Sequence, residues 1–76
     1  MTTFHITMRG AYQISYLLAT LDESVDPACR QRTIIEHRDQ DIWDITVEIS
    51  GALDDAGKDY FKKAACSTGA LSVEEV

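Results

Sequence analysis

The chain has 76 residues, 45% of them hydrophobic, so residues 1–76 suit one small domain with a single core, and the composition argues against intrinsic disorder. Thirteen acidic against seven basic residues give a formal net charge of −6, which disfavours direct binding to nucleic-acid phosphates. No apolar run approaches the roughly 18 residues that a membrane-spanning helix needs, so no membrane partner is expected.

The N-terminal residues and the cysteines indicate a cytoplasmic protein. Residues Met1–Met8 alternate in polarity, unlike the apolar stretch of a secretory signal. Cys29 and Cys66 lie far apart in the sequence and are the only cysteines. Without a secretory signal, we expect both thiols to be reduced.

The first two elements are predicted from a change in hydrophobic period. Thr2–Met8 alternates between apolar and polar side chains, which predicts a strand, and Gly10 supplies the backbone freedom for the turn that follows. From Ala11 to Leu21 the apolar side chains recur at helical spacing, which predicts a helix. The stripe consists of Ile14, Leu17, Leu18 and Leu21.

The next two elements are predicted to form an antiparallel hairpin. Cys29–Arg38 has the β-branched run Thr33–Ile35 flanked by charges, which is typical of an exposed edge strand, although the pattern leaves its inward face open. Asp41–Ser50 alternates strictly after Ile42, which predicts a half-buried central strand. Its inward side chains are Trp43, Ile45, Val47 and Ile49.

A second helix and a short last strand complete the chain. Asp54 and Asp55 in the first turn, with lysines near the end, complement the dipole of a helix that ends before Gly69. The tail Ala70–Val76 alternates briefly, which predicts a strand. The inner face of this helix is predicted to comprise Leu53, Ala56, Tyr60, Phe61 and Ala64.

The order of these elements is strand, helix, strand, strand, helix, strand. This order predicts an α+β, ferredoxin-like βαββαβ fold, in which two helices cover one face of a four-stranded antiparallel sheet. Right-handed crossovers place the first and third strands in its centre.

Four segments of the chain also resemble an ACT-like regulatory domain, the module found in small-molecule sensors. The resemblance covers the whole chain at the level of topology, and Gly10-Ala-Tyr12 lacks the proline that often opens the first helix of that family. It therefore implies the fold and the habit of pairing sheets side by side. The segments are Phe4-His-Ile-Thr-Met8, the helix with Leu17-Leu18, Ile45-Thr-Val-Glu-Ile49 and Gly69-Ala-Leu-Ser-Val73.

Several polar groups are candidates for chemistry, each with a simpler interpretation. His5 beside Asp44 or Glu48 would suit acid-base or metal chemistry, but a solvated strand histidine is the favoured interpretation because no nucleophile accompanies it. Asp39–Asp44 is favoured as an acidic turn over a calcium loop. We expect no catalytic site, metal or cofactor. The weaker zinc hypothesis would combine His5, Cys29, His37 and Cys66.

These observations favour a small acidic, non-enzymatic interaction or regulatory module that presents an acidic face or a sheet edge to another protein. A homodimer is one form of it, and a ligand sensor at the Gly10 loop is a further hypothesis. The alternative is a phage inhibitor of the anti-CRISPR kind, which binds the basic nucleic-acid-binding surface of a defence complex. The candidate partner-binding residues are Asp22, Glu23, Asp26, Asp39, Asp41, Asp44 and Glu48, with Tyr12 and Tyr16 as interface tyrosines.

Overall fold

The structure is a computed structural model that describes residues 1–51 and 53–76. Its described strands form one antiparallel sheet in the order β2-β3-β1-β4, with two helices in the predicted order. The ferredoxin-like α+β fold, with the first and third strands in the centre, is therefore confirmed. The elements are β1 (Thr2–Arg9), α1 (Ala11–Glu23), β2 (Arg30–His37), β3 (Ile42–Ser50), α2 (Asp55–Ser67) and β4 (Ser72–Glu75).

The two central strands pair so that their apolar faces coincide. Phe4 lies opposite Val47 and Ile6 lies opposite Ile45, and all four side chains are fully buried. Trp43 shares this helix-side face, but its ring is only half-buried at the margin of the core. The predicted inward alternation of β3 is present, with the tryptophan as its least buried member.

Helix α1 packs the predicted stripe into the core and extends two residues beyond its predicted end. Ile14, Leu17 and Leu21 are buried, while Leu18 is half-buried. The turn before the helix depends on Gly10, whose φ of 89° lies in a region that side-chain-bearing residues rarely adopt.

Helix α2 begins at a side-chain cap. The Asp54 carboxylate accepts a hydrogen bond from the backbone N–H of Gly57 at 2.8 Å, which satisfies one of the free donors of the first turn. Further along, Phe61 is fully buried and its ring stacks on Phe4 with the centroids 4.5 Å apart. This stack fixes the helix over the centre of the sheet.

The predicted inner face of α2 was partly wrong. Tyr60 is 61% exposed and Ala56 is also exposed, whereas Ala65 is fully buried. The observed stripe runs at intervals of four residues through Gly57, Phe61 and Ala65, because the buried Phe61 sets the rotation of the helix. A Cβ at Gly57 would lie 2.8 Å from the Leu53 side chain, so the glycine permits a close contact there.

Candidate interaction surface

Strand β2 is the most exposed regular element of the sheet. It pairs with β3 and lies at the edge, so one row of its backbone N–H and C=O groups faces no other described strand. Seven of its eight residues are exposed, and Gln31 is half-buried. Ile34 and Ile35, on opposite faces, are 37% and 43% exposed. An edge of this kind can accept a strand from another chain.

The position of the two helices explains why β2 is bare. Helix α1 packs against β1 and α2, and α2 packs against β4. The helices are therefore centred over the half of the sheet that contains β1 and β4. The Gln31 side-chain amide donates to the Leu21 carbonyl at 3.0 Å, which ties the start of β2 to the C-terminal part of α1. Further along, the His37 ring stacks on Trp43 with centroids 4.3 Å apart.

The face of the sheet away from the helices carries mostly polar side chains. The register places Thr3 opposite Glu48 and Thr7 opposite Asp44. Thr7 is nevertheless buried, so this face is not uniformly exposed to solvent. We call it the open face. Its members on β1, β3 and β4 are Thr3, His5, Thr7, Asp44, Thr46, Glu48, Ser72 and Glu74, and Arg32, Ile34 and Glu36 of β2 lie on the same face.

Asp44 is the centre of an ion-pair cluster on the open face. The Arg38 guanidinium binds its carboxylate with two N–H groups, one of them Nε at 2.7 Å from Oδ2, and the His5 Nε2 lies 3.2 Å from Oδ1. The hydrogen bond from Arg38 holds the pKa of Asp44 below its ordinary value. Desolvation opposes this shift, and the charge of Arg38 and the contact with His5 add to it. The predicted contact between His5 and Asp44 is thus present.

Glu48 also has a basic neighbour on this face. Its carboxylate lies 3.7 Å from the Arg32 guanidinium, whose side chain is 77% exposed. Both predicted acidic site residues of the open face are therefore partly neutralised within the chain, and this face presents mixed charge rather than a continuous acidic surface.

The other acidic candidates are divided between the two ends of the domain. Asp22 and Glu23 close α1, and Asp26 follows in the next loop. Asp39 and Asp41 lie in the β2–β3 turn. The Gly10 N–H donates a hydrogen bond to the Asp41 carbonyl at 2.8 Å, so this turn lies beside the start of α1. A helix of 13 residues spans about 20 Å, so the two groups are separated by about that distance.

The two tyrosine candidates stand on the surface of α1. Tyr12 is 80% exposed and Tyr16 is 59% exposed, and their spacing of four residues places them side by side. They are not the edge of the core. The Tyr12 ring lies over Gly10, since a Cβ built there would be 3.4 Å from its Cε1.

A shallow cleft of about 430 Å³ lies beside Gly10, where the sequence suggested a ligand sensor. Its buried hydroxyl, that of Thr68, already donates to the Ala65 carbonyl at 2.7 Å, so its proton is not available to a ligand in the cleft. The cleft is lined by Arg9, Gly10, Tyr12, Gln13, Asp41, Thr68, Gly69 and Leu71.

The zinc hypothesis brings together residues that the fold keeps apart. His5 lies on the open face, whereas His37 lies on the helix side against Trp43, and Cys66 is exposed on α2. In the described ranges, no three His, Cys, Asp or Glu side chains form a group suited to a metal ion. In the suspected calcium segment, the Ile42 N–H donates to the Asp39 carbonyl at 3.2 Å, which makes it a tight turn.

The candidate residues that sequence reasoning missed are Ile34, Ile35 and Glu36. Their signal was an apolar pair between charges of opposite sign, which was interpreted as a protected edge strand, and these residues were not named when a sheet edge was proposed as a binding element. Comparison with known proteins adds no assignment, since no family model and no curated protein matches the chain significantly. Among the described residues, neither helix has the length and apolar character to span a membrane.

Proposed function

We propose that this protein is a non-enzymatic interaction module that binds another protein by adding a strand to the β2 edge. The observation that carries the proposal is an eight-residue edge strand with seven exposed residues and two partly exposed isoleucines. Strand addition uses the free backbone groups for affinity and the alternating side chains for specificity.

The distribution of charge supports the edge over an acidic face as the binding element. Asp44 and Glu48 are engaged by Arg38 and Arg32 on the open face. The remaining acidic candidates form two groups about 20 Å apart, at opposite ends of α1. Mimicry of nucleic acid by an inhibitor requires a row of acids, and charge reversal at Asp39 and Asp41 would abolish inhibition if that alternative held.

The apolar character of β2 gives a partner something to bury. Ile34 and Ile35 lie on opposite faces, so an added strand would cover one isoleucine from each side. Charged residues flank them, which keeps the free edge soluble while leaving the backbone accessible.

The experiment compares tagged wild-type protein with Ile34→Lys as baits for proteins of the native host, with further copies of the chain counted among them. We expect the set of bound proteins to lose members with Ile34→Lys, because a lysine removes apolar contact from the strand's centre. Leu71→Lys is the matched control, since Leu71 is 53% exposed near the opposite edge. Identical sets for all three baits would overturn the proposal.

A further inference from the structure

We infer that the strand added to the β2 edge is β2 of a second copy of this chain, in an antiparallel register centred on Ile34. The inference rests on the proposed function, because it names the partner of the same edge. It is carried by the central segment Arg32–Glu36 of β2, whose charge pattern is complementary to itself when the strand is reversed.

The register follows from the side chains that would lie opposite each other. With Ile34 facing Ile34 of the second copy, Arg32 faces Glu36, and by symmetry Glu36 faces Arg32. All three positions lie on the open face of the sheet, as their pairing with Thr46, Glu48 and Asp44 shows. The open face of the dimer would thus have an apolar centre between two pairs of opposite charge, an arrangement that stabilises antiparallel strands.

The helix-side face agrees with the same register. Ile35, which is 43% exposed, faces Thr33 of the second copy, and Thr33 faces Ile35. Pairs of β-branched side chains are favourable neighbours across antiparallel strands. The two-fold axis stands perpendicular to the sheet, so both copies keep their helices on one side and form an eight-stranded sheet.

The neighbouring registers that preserve the faces are poorer. Moving the centre to Thr33 places Ile34 opposite Arg32. Moving it to Ile35 places the apolar Ile34 opposite Glu36 and leaves Arg32 without an opposite acid, because it then faces Arg38. A register centred on Ile34 also places Arg30 opposite Arg38 of the second copy, but each Arg38 is already bound to Asp44 of its own chain. Among these three registers it is the one that places Ile34 opposite Ile34 while Glu36 meets an arginine.

The dimer is expected to be weak and concentration-dependent. A single pair of edge strands buries less than the roughly 1,600 Å² of a standard interface, which places it among transient contacts. Sedimentation velocity from micromolar to millimolar protein should therefore show a shift toward twice the monomer mass. Backbone amides at alternate positions of β2 should become protected from hydrogen exchange over the same range.

A charge exchange between Arg32 and Glu36 tests the register. Arg32→Glu and Glu36→Arg alone each create two like-charge pairs across the axis, and each should weaken self-association about tenfold or more. A mixture of the two variants should form a heterodimer, because each glutamate of one copy then meets an arginine of the other. The double variant Arg32→Glu/Glu36→Arg should regain the homodimer.

The controls separate register from folding. Arg32 also lies near Glu48, so Arg32→Gln measures the loss of that contact without placing like charges across the axis. Circular dichroism and thermal unfolding of each variant show whether it is folded, and the mixture provides rescue without any further substitution. If single variants associate as wild type does, or if the mixture shows no heterodimer, the register is wrong.

Failure of the inference is distinct from failure of the proposed function. A wild-type protein that stays monomeric at millimolar concentration overturns the second copy as partner. If Ile34→Lys still loses other bound proteins while Leu71→Lys keeps them, the edge remains the binding element for a different chain. If Ile34→Lys changes nothing and the wild type is monomeric, both are overturned.

Discussion

The two edges of the sheet differ in length and in cover. Strand β4 has four residues, and α2 packs against it, with Lys58 Nζ 3.1 Å from the Glu75 carboxylate. Strand β2 has eight residues, and its only described hydrogen bond to a helix runs from Gln31 near its start. The protein therefore protects one edge by shortness and a helix, and leaves the other long and accessible.

This difference separates the part of the sheet that holds the core from the part that is exposed. The buried core lies between the helices and the central strands, so it can be complete without β2's outer edge. An edge strand with a free backbone row and partly exposed isoleucines is a liability in a strict monomer and an asset in a protein that binds by strand addition.

A core substitution and an edge substitution should differ most in their cost to stability. Phe61→Ala removes a fully buried ring stacked on Phe4 and should lower the free energy of unfolding by about 3–5 kcal/mol. Ile35→Ala removes a side chain that is 43% exposed, and about 1 kcal/mol is expected. Urea unfolding at dilute concentration, where self-association does not contribute, measures both.

Equal losses for the two substitutions would contradict the comparison. They would mean that β2 is part of the cooperative core rather than an accessible edge. Unchanged denaturant slopes should accompany the loss, since neither change is expected to alter the surface exposed on unfolding.

The fold could be predicted from the sequence because the hydrophobic period changes distinctly between strand and helix segments. Strict alternation through Ile45 and Ile49, against the helical spacing of Leu17 and Leu21, leaves few alternatives for either segment. The rotation of α2 was not predictable in the same way. The sequence allows a buried stripe through Tyr60 and Ala64 or one through Phe61 and Ala65. The contact of Phe61 with Phe4 across the core selects the second.

The interaction surface was less accessible to sequence reasoning than the fold. Strand β2 has isoleucines at consecutive positions 34 and 35, so period alone does not say which face is inward. Whether either isoleucine is covered depends on where α1 and α2 sit across the sheet, which is a property of tertiary packing. Local sequence indicates an edge strand, but it does not indicate that the helices leave it bare.

A smaller effect is expected at the helix that covers the β4 side. Asp54→Ala removes the cap on the Gly57 N–H and should lower the free energy of unfolding by about 0.5–2 kcal/mol. Asp55→Ala is the matched control, because Asp55 lies in the same turn and makes no described side-chain hydrogen bond. Urea unfolding of the pair separates the cap from the general effect of an acid at the helix start. Equal losses would assign the effect to charge alone.

The contact between α2 and β4 should contribute less again. Lys58→Gln removes the ion pair with Glu75, and about 0.2–1 kcal/mol is expected because both side chains are partly exposed. Faster hydrogen exchange at the Glu74 amide, which faces β1 opposite His5, would show that the helix restrains the short edge. Lys63→Gln is the control, since its pair with Asp59 is largely exposed and spans one helical turn. Equal exchange in both variants would mean that strand pairing alone holds β4.

The smallest effect on stability, but the most direct to observe, is at the far end of β2. Arg38 directly follows β2 and binds Asp44 of β3, so it holds the C-terminal end of β2. Gln31 holds the N-terminal end of the same strand. Arg38→Gln should raise the pKa of Asp44 toward its ordinary value, because the hydrogen bond that lowers it is lost. Carboxyl carbon NMR titration measures this pKa, and Arg32→Gln should leave it unchanged.

The sign of the accompanying pH dependence is fixed by the same contact. Since the pKa of Asp44 is lower in the folded chain, its contribution is fully present above the unfolded value of about 3.9 and is lost as the pH falls through the folded value. Arg38→Gln should therefore lose less stability than wild type between neutral pH and acid. An unchanged pKa in this variant would mean that Arg38 does not hold Asp44 in solution, and β2 would then be anchored at its Gln31 end and through β3 alone.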